Sequence, residues 1–139
     1  MHIIDNGLNN KIIGSPHEES SFKVVFYGSN STLEIGNNVV FNKCNIYIHD
    51  SAEIVIGSES RISGSLLAHN KCSIIIGEKC RCNSYLNIST AENTKVSIGV
   101  DCLVAQATIR TSDMHPIYSL DNGERINPLK IYLSATMFG

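Results

Sequence analysis

The strings LEIG (Leu33–Gly36), IVIG (Ile54–Gly57), IIIG (Ile74–Gly77) and VSIG (Val96–Gly99) recur along the chain, with their glycines 21, 20 and 22 residues apart. Self-similarity at this interval marks a solenoid, whose repeats bury their apolar sides only by stacking on one another. Inside each repeat an apolar residue returns six positions later: Ile35 to Phe41, Ile56 to Ile62, Ile76 to Cys82, Ile98 to Val104. Six is not a helical interval, because apolar positions on one helix face recur at three, four and seven. The segments are short, rich in Ile and Val and broken by Gly, Asn and Ser, which favours strands joined by turns. Three six-residue steps close one triangular coil, and the two to four surplus residues of each repeat bulge at a corner. The expected fold is therefore all-β, a three-sided parallel β-helix of about four to five coils over residues 33–133, with residues 1–32 leading into it.

The same winding accounts for the cysteines. Four residues after each leading Ile come Val39, Ser60, Cys80 and Cys102, which stack at a corner too tight for large side chains. Cys82 falls in the inward column with Phe41, Ile62 and Val104. Small buried thiols packing as apolar groups explain these positions better than reactive or metal-bound ones. Five cysteines, an odd number, in a chain whose start lacks the basic flank and apolar segment of a secretion signal disfavour a disulfide framework. Cys80-Arg-Cys82 is not zinc-ribbon spacing, and no metal is expected. A net charge of −2 without a basic run argues against nucleic acid or an anionic membrane surface as partner. No apolar stretch approaches the roughly 20 residues of a membrane span. A cytoplasmic location is the expectation.

The pattern breaks at TSDMHPIYSLDNGERINP, residues 111–128, which reads as a loop protruding from the coil. The hexapeptide repeat together with KVSIGVDCLVAQATIRTSDMHPI, residues 95–117, resembles the left-handed β-helix acyltransferases. It is similar to the catalytic region of galactoside and maltose O-acetyltransferases, and closer to bacterial polysaccharide and sialic-acid O-acetyltransferases. In those, Ser-Asp-x-His-Pro-Ile is also followed by a Gly-x-Arg-Ile-Asn-Pro like Gly123–Pro128. The resemblance implies acetyl transfer from acetyl-CoA, as co-substrate, to a sugar hydroxyl of a bacterial surface polysaccharide. It places the general base on His115, since a neutral imidazole titrates near working pH and can take the attacking hydroxyl's proton. The family's active-site asparagine falls near Asn83, preferred to Asn87 when two residues are inserted in STAENT. An amide there would serve as a donor to the developing oxyanion. Asp113 and Arg125 are expected to contact the acceptor. The family also implies a homotrimer with acetyl-CoA in the groove between neighbours.

The end of the chain departs from that pattern. Where the family continues with a further coil of the type DIxIGDHVW, this chain reads IYLSATMFG. Codons ATC GGC GAC CAT GTT TGG, read one base later, give Ser-Ala-Thr-Met-Phe-Gly, the residues 134–139. A frameshifted tail is expected, and with it weak or lost coenzyme binding by a truncated chain. Two other functions remain open: a serine or amino-sugar N-acetyltransferase, and a solenoid without catalysis. A γ-type carbonic anhydrase is set aside. His49 and His69 lie one coil apart, but no third histidine completes a zinc site at the distance of His115.

Overall fold

The computed structural model describes residues 2–91 and 93–111, and the backbone of 132–138. Twelve strands follow one another: β1 (His2–Asp5), β2 (Lys11–Ile13), β3 (Ser21–Phe26), β4 (Thr32–Ile35), β5 (Val40–Ile48), β6 (Glu53–Ile56), β7 (Arg61–Ala68), β8 (Ser73–Ile76), β9 (Arg81–Thr90), β10 (Lys95–Ile98), β11 (Leu103–Arg110) and β12 (Tyr132–Phe138). Odd and even strands segregate. One sheet runs β1-β3-β5-β7-β9-β11-β12 and the other β2-β4-β6-β8-β10. Every pairing from β1 to β11 is parallel, and β12 alone runs antiparallel, against β11. The chain is thus an all-β solenoid. The stretch 1–32, read as a lead-in, already carries three strands of it, with β1 on β3 and β2 on β4.

The four IG strings are the even strands, and their register is that of the repeat: Leu33 faces Ile54, Ile54 faces Ile74, and Ile74 faces Val96. Strand alternation sends these residues and Ile35, Ile56, Ile76 and Ile98 inward, where all are buried. The opposite wall of the core is a second column, Ile46, Leu66, Ile88 and Ile109. Burying each such side chain contributes about 1.5–3 kcal/mol. The long odd strands shift register partway, between Phe41 and Cys44, Arg61 and Gly64, and Val104 and Gln106. These shifts absorb the surplus residues, and left-handed backbone occurs there at Lys43 and Gly64. Each long strand therefore turns a corner and supplies two of the three sides of a coil.

The other two corners are built by two ladders of left-handed residues. Asn9, Asn30, Ser51, Lys71 and Asn93 form one, and Asn38, Glu59, Lys79 and Asp101 the other, all with φ between 51° and 62°. This conformation costs an L-residue roughly 1–2 kcal/mol, less for Asn and Asp. The ladder offsets it, because the N–H so turned reaches a carbonyl of the preceding coil. Lys79 donates to Ser58, Asp101 to Glu78 and Lys71 to Asp50, each at 2.9 Å. The glycines of the first three IG strings serve close approach: a Cβ on Gly57 would stand 2.4 Å from the backbone nitrogen of Glu78, whereas one on Gly99 would meet nothing within 4 Å. At the stacked corner Val39, Ser60 and Cys80 are buried, and the Ser60 hydroxyl accepts from the Cys80 N–H at 3.1 Å. All five thiols are free, with Cys44, Cys72 and Cys80 buried.

Candidate functional site

His115, Asp113 and Arg125 lie outside the described residues, which stop before them at Thr111. β11 ends at Arg110, and the next residue, Thr111, is buried. Its N–H donates to the Ser89 carbonyl at 3.1 Å, and its Oγ1 accepts from the Ala91 N–H at 2.9 Å. Thr94 Oγ1, which donates to the Ala91 carbonyl, lies 2.6 Å from Thr111 Oγ1. A threonine at this position thus ties the last regular rung to the coil before it, and the segment bearing His115 departs from a fixed point.

Asn83 is exposed on β9, at the register shift where Asn83 and Ser84 stand opposite Ala105 alone. A bulge aims a side chain away from the regular ladder. Asn87, four residues on, is placed differently. Ser65, Asn87 and Thr108 are direct neighbours on β7, β9 and β11. The Asn87 Oδ1 accepts from the Ser65 N–H at 3.1 Å and from its hydroxyl at 3.2 Å. With that oxygen committed, the remaining capacity of the amide is as a donor. These residues line a surface concavity of about 200 Å³, together with Tyr47, Ser89, Arg110 and the aliphatic Leu67, Ile88 and Ile109. Asn87 is the position passed over in favour of Asn83 on the sequence, and Arg110 carries no motif that marks it. For Arg110 the only signal is the register of the repeat, which puts polar side chains one above another on the outer side.

Beside the concavity runs an aromatic strip. The Tyr27 ring stacks on His49 with centroids 5.2 Å apart, and His49 stacks on His69 at 4.6 Å. Tyr47 flanks Tyr27 at 6.1 Å. The two histidines expected one coil apart are therefore a stacked pair. Burial, and next the neighbouring His49, lowers the proton affinity of His69. Its buried Nε2 has no hydrogen-bond partner among the described residues. Burial, with Cys82 adding to it, pushes the Cys44 thiol up to about 12, which makes it a poor nucleophile. Among the described residues no group of three or more His, Cys, Asp or Glu is placed to hold a metal ion, and no helix is long and apolar enough to cross a membrane.

No protein-family model matches the chain. It is 36% identical over 127 residues to a polysialic acid O-acetyltransferase of Neisseria meningitidis, covering 88% of this chain and 59% of that protein. A second polysialic acid O-acetyltransferase, from Escherichia coli O1:K1 / APEC, is 34% identical over 73 residues, 52% of this chain and 24% of that protein. The crystal structure of the polySia-specific acetyltransferase NeuO superimposes with a TM-score of 0.81 at 27% identity, covering 92% of this chain and 60% of that one. The chain spans less than two thirds of the length of each of these relatives. Its homologues are O-acetyltransferases and its fold is a β-solenoid, as the hexapeptide resemblance implied.

Proposed function

We propose, from this kinship with the hexapeptide-repeat acyltransferases, that the chain is an acetyl-CoA-dependent O-acetyltransferase acting on a sugar hydroxyl of a bacterial surface polysaccharide. The single observation that carries the reading is the similarity to the Neisseria enzyme across 88% of the chain, together with the shared solenoid. Acetyl-CoA brings the activated acetyl group as a thioester. The chain's part is positional and acid–base. His115, a few residues beyond the tied Thr111, takes the proton of the attacking hydroxyl. Asn83, aimed outward by the bulge in β9, donates to the oxygen on which charge develops. Asp113 and Arg125 hold the acceptor. A homotrimer in the cytoplasm, with the co-substrate between neighbouring solenoids, completes the reading.

The test is transfer to a sialic acid oligomer from acetyl-CoA supplied in large excess, because weak coenzyme binding is expected from the divergent tail, read by the mass of the sugar product. His115→Ala is expected to lower kcat by at least about 100-fold, the usual worth of a positioned general base. Undiminished transfer by that variant, or acetylation only of serine or an amino-sugar nitrogen, would discard this assignment.

A further inference from the structure

In the first coil the glycine signature slips by one residue. In the later coils the glycine follows the leading isoleucine, as in Ile35-Gly36 and Ile56-Gly57. In the first coil β2 lies on β4 with Ile12 on Leu33 and Ile13 on Glu34, so the next step of the register sets Gly14 on Ile35. Ile13 therefore faces outward and is 50% exposed. The buried column of Ile35, Ile56, Ile76 and Ile98 is left without a side chain at its head. Gly14 cannot be replaced to supply one. Its φ is +84°, and a Cβ there would overlap the Ile35 carbonyl oxygen.

The vacancy is a cavity of about 210 Å³. Ile3 stands over Val24 and Ile12 over Leu33, and these four make its walls with Phe22 and Ile35. Val24, Leu33 and Ile35 are buried, so the floor is the end of the hydrophobic core. Ile3 and Ile12 are 45% and 38% exposed and form the side open to water. Among the described residues, exposed Ser15 is the only polar side chain in the lining. Such a hollow offers water few partners, and one of about 150 Å³ lined by Leu, Ile and Phe takes up benzene. A wholly apolar solute would leave its outer side in water at the mouth. An amphiphile buries its hydrocarbon end and keeps its polar end wet.

We propose that this hollow is a binding site for the hydrocarbon tail of a small amphiphile, the tail seated on Val24, Leu33 and Ile35 and the polar head left at the mouth beside Ser15. The tail takes the place that an isoleucine fills in the column below it. The site lies at the opposite end of the stack from β11 and has no part in acetyl transfer. Each methylene buried there raises affinity about fourfold, until the hollow is full.

The experiment titrates the intact chain with straight-chain alcohols from butanol to decanol and follows the isoleucine methyl resonances by NMR. Those of Ile3, Ile12 and Ile35 are expected to shift and saturate, with Kd falling about fourfold per methylene and levelling off by octanol. Those of Ile74 and Ile76, deeper in the stack, should stay in place. Ile12→Phe, whose ring fills the mouth, should weaken hexanol binding about tenfold or more, the worth of roughly two buried methylenes. Ile3→Phe makes the same test should Ile12→Phe fail to fold, and the alcohol series on the wild-type chain decides without either. The site would be overturned by the absence of saturable shifts, by an equal response at Ile74 and Ile76, or by affinity that keeps climbing to decanol, as in partition onto a surface. Hexanol binding unaltered in a folded plugged variant would overturn it as well. So would benzene binding more tightly than hexanol, since the occupant would then need no polar head.

Discussion

His69 shows how a single side chain can tie stability to acidity. Burial and the stacked His49 ring disfavour its charged form in the folded chain. An unfolded chain binds that proton at the ordinary value of 6.5. The contribution of His69 is thus fully present above that value and is lost as pH falls through the lower folded one. The melting temperature should drop as the solution is taken from about pH 7 to about pH 5, and His69→Asn should flatten the drop. An identical profile in the variant would clear His69 of responsibility. Gly57 makes a separate residue-scale case. Its φ is unremarkable, but a methyl group there meets the Glu78 backbone nitrogen at 2.4 Å, with no flexible side chain to yield. Gly57→Ala should cost about 1–3 kcal/mol in urea unfolding, the usual toll of overpacking. Stability equal to wild type would mean that the coils can part locally without penalty.

At the scale of elements, alternation along the even strands separates core from surface. Ile54 is fully buried between Leu33 and Ile74, while Val55 next to it faces the other way and is only half-buried. Ile54→Ala should destabilise by about 2–5 kcal/mol and Val55→Thr by less than about 1 kcal/mol in denaturant titrations. Similar losses at the two positions would contradict the alternation. These strands were legible in the sequence because they have constant length and end on glycine. The strands β1–β3 were not, since their own Ile13-Gly14 is isolated and the residues around it are largely polar or exposed. The outer-face columns were obscured for another reason. Each long strand takes its surplus residues before the column positions, so the interval from the leading Ile varies: Ile35 to Asn45, Ile56 to Ser65, Ile76 to Asn87. Asn87 and Arg110 become neighbours of Ser65 and Ser89 only once the register shifts are known. Asn83 was proposed from a motif, but the bulge it sits on could not be read there, because a shift between strands is a property of the pair.

For the whole molecule, the solenoid gives a rigid wall and the catalytic assignment needs a second one. On the proposed reading, neighbouring copies within a homotrimer complete the site. Sedimentation equilibrium should therefore give the mass of three chains, and a monomer that still transferred acetyl groups would refute a shared site. In the described strands, hydrogen-bonded pairing joins each coil only to the coil before it and the coil after it. Such a stack has no central keystone. Pulled from its first strand, it would pay out like thread from a bobbin, one winding after another. Each winding of 20 to 22 residues would release about 70 Å of slack while the windings behind it stayed wound.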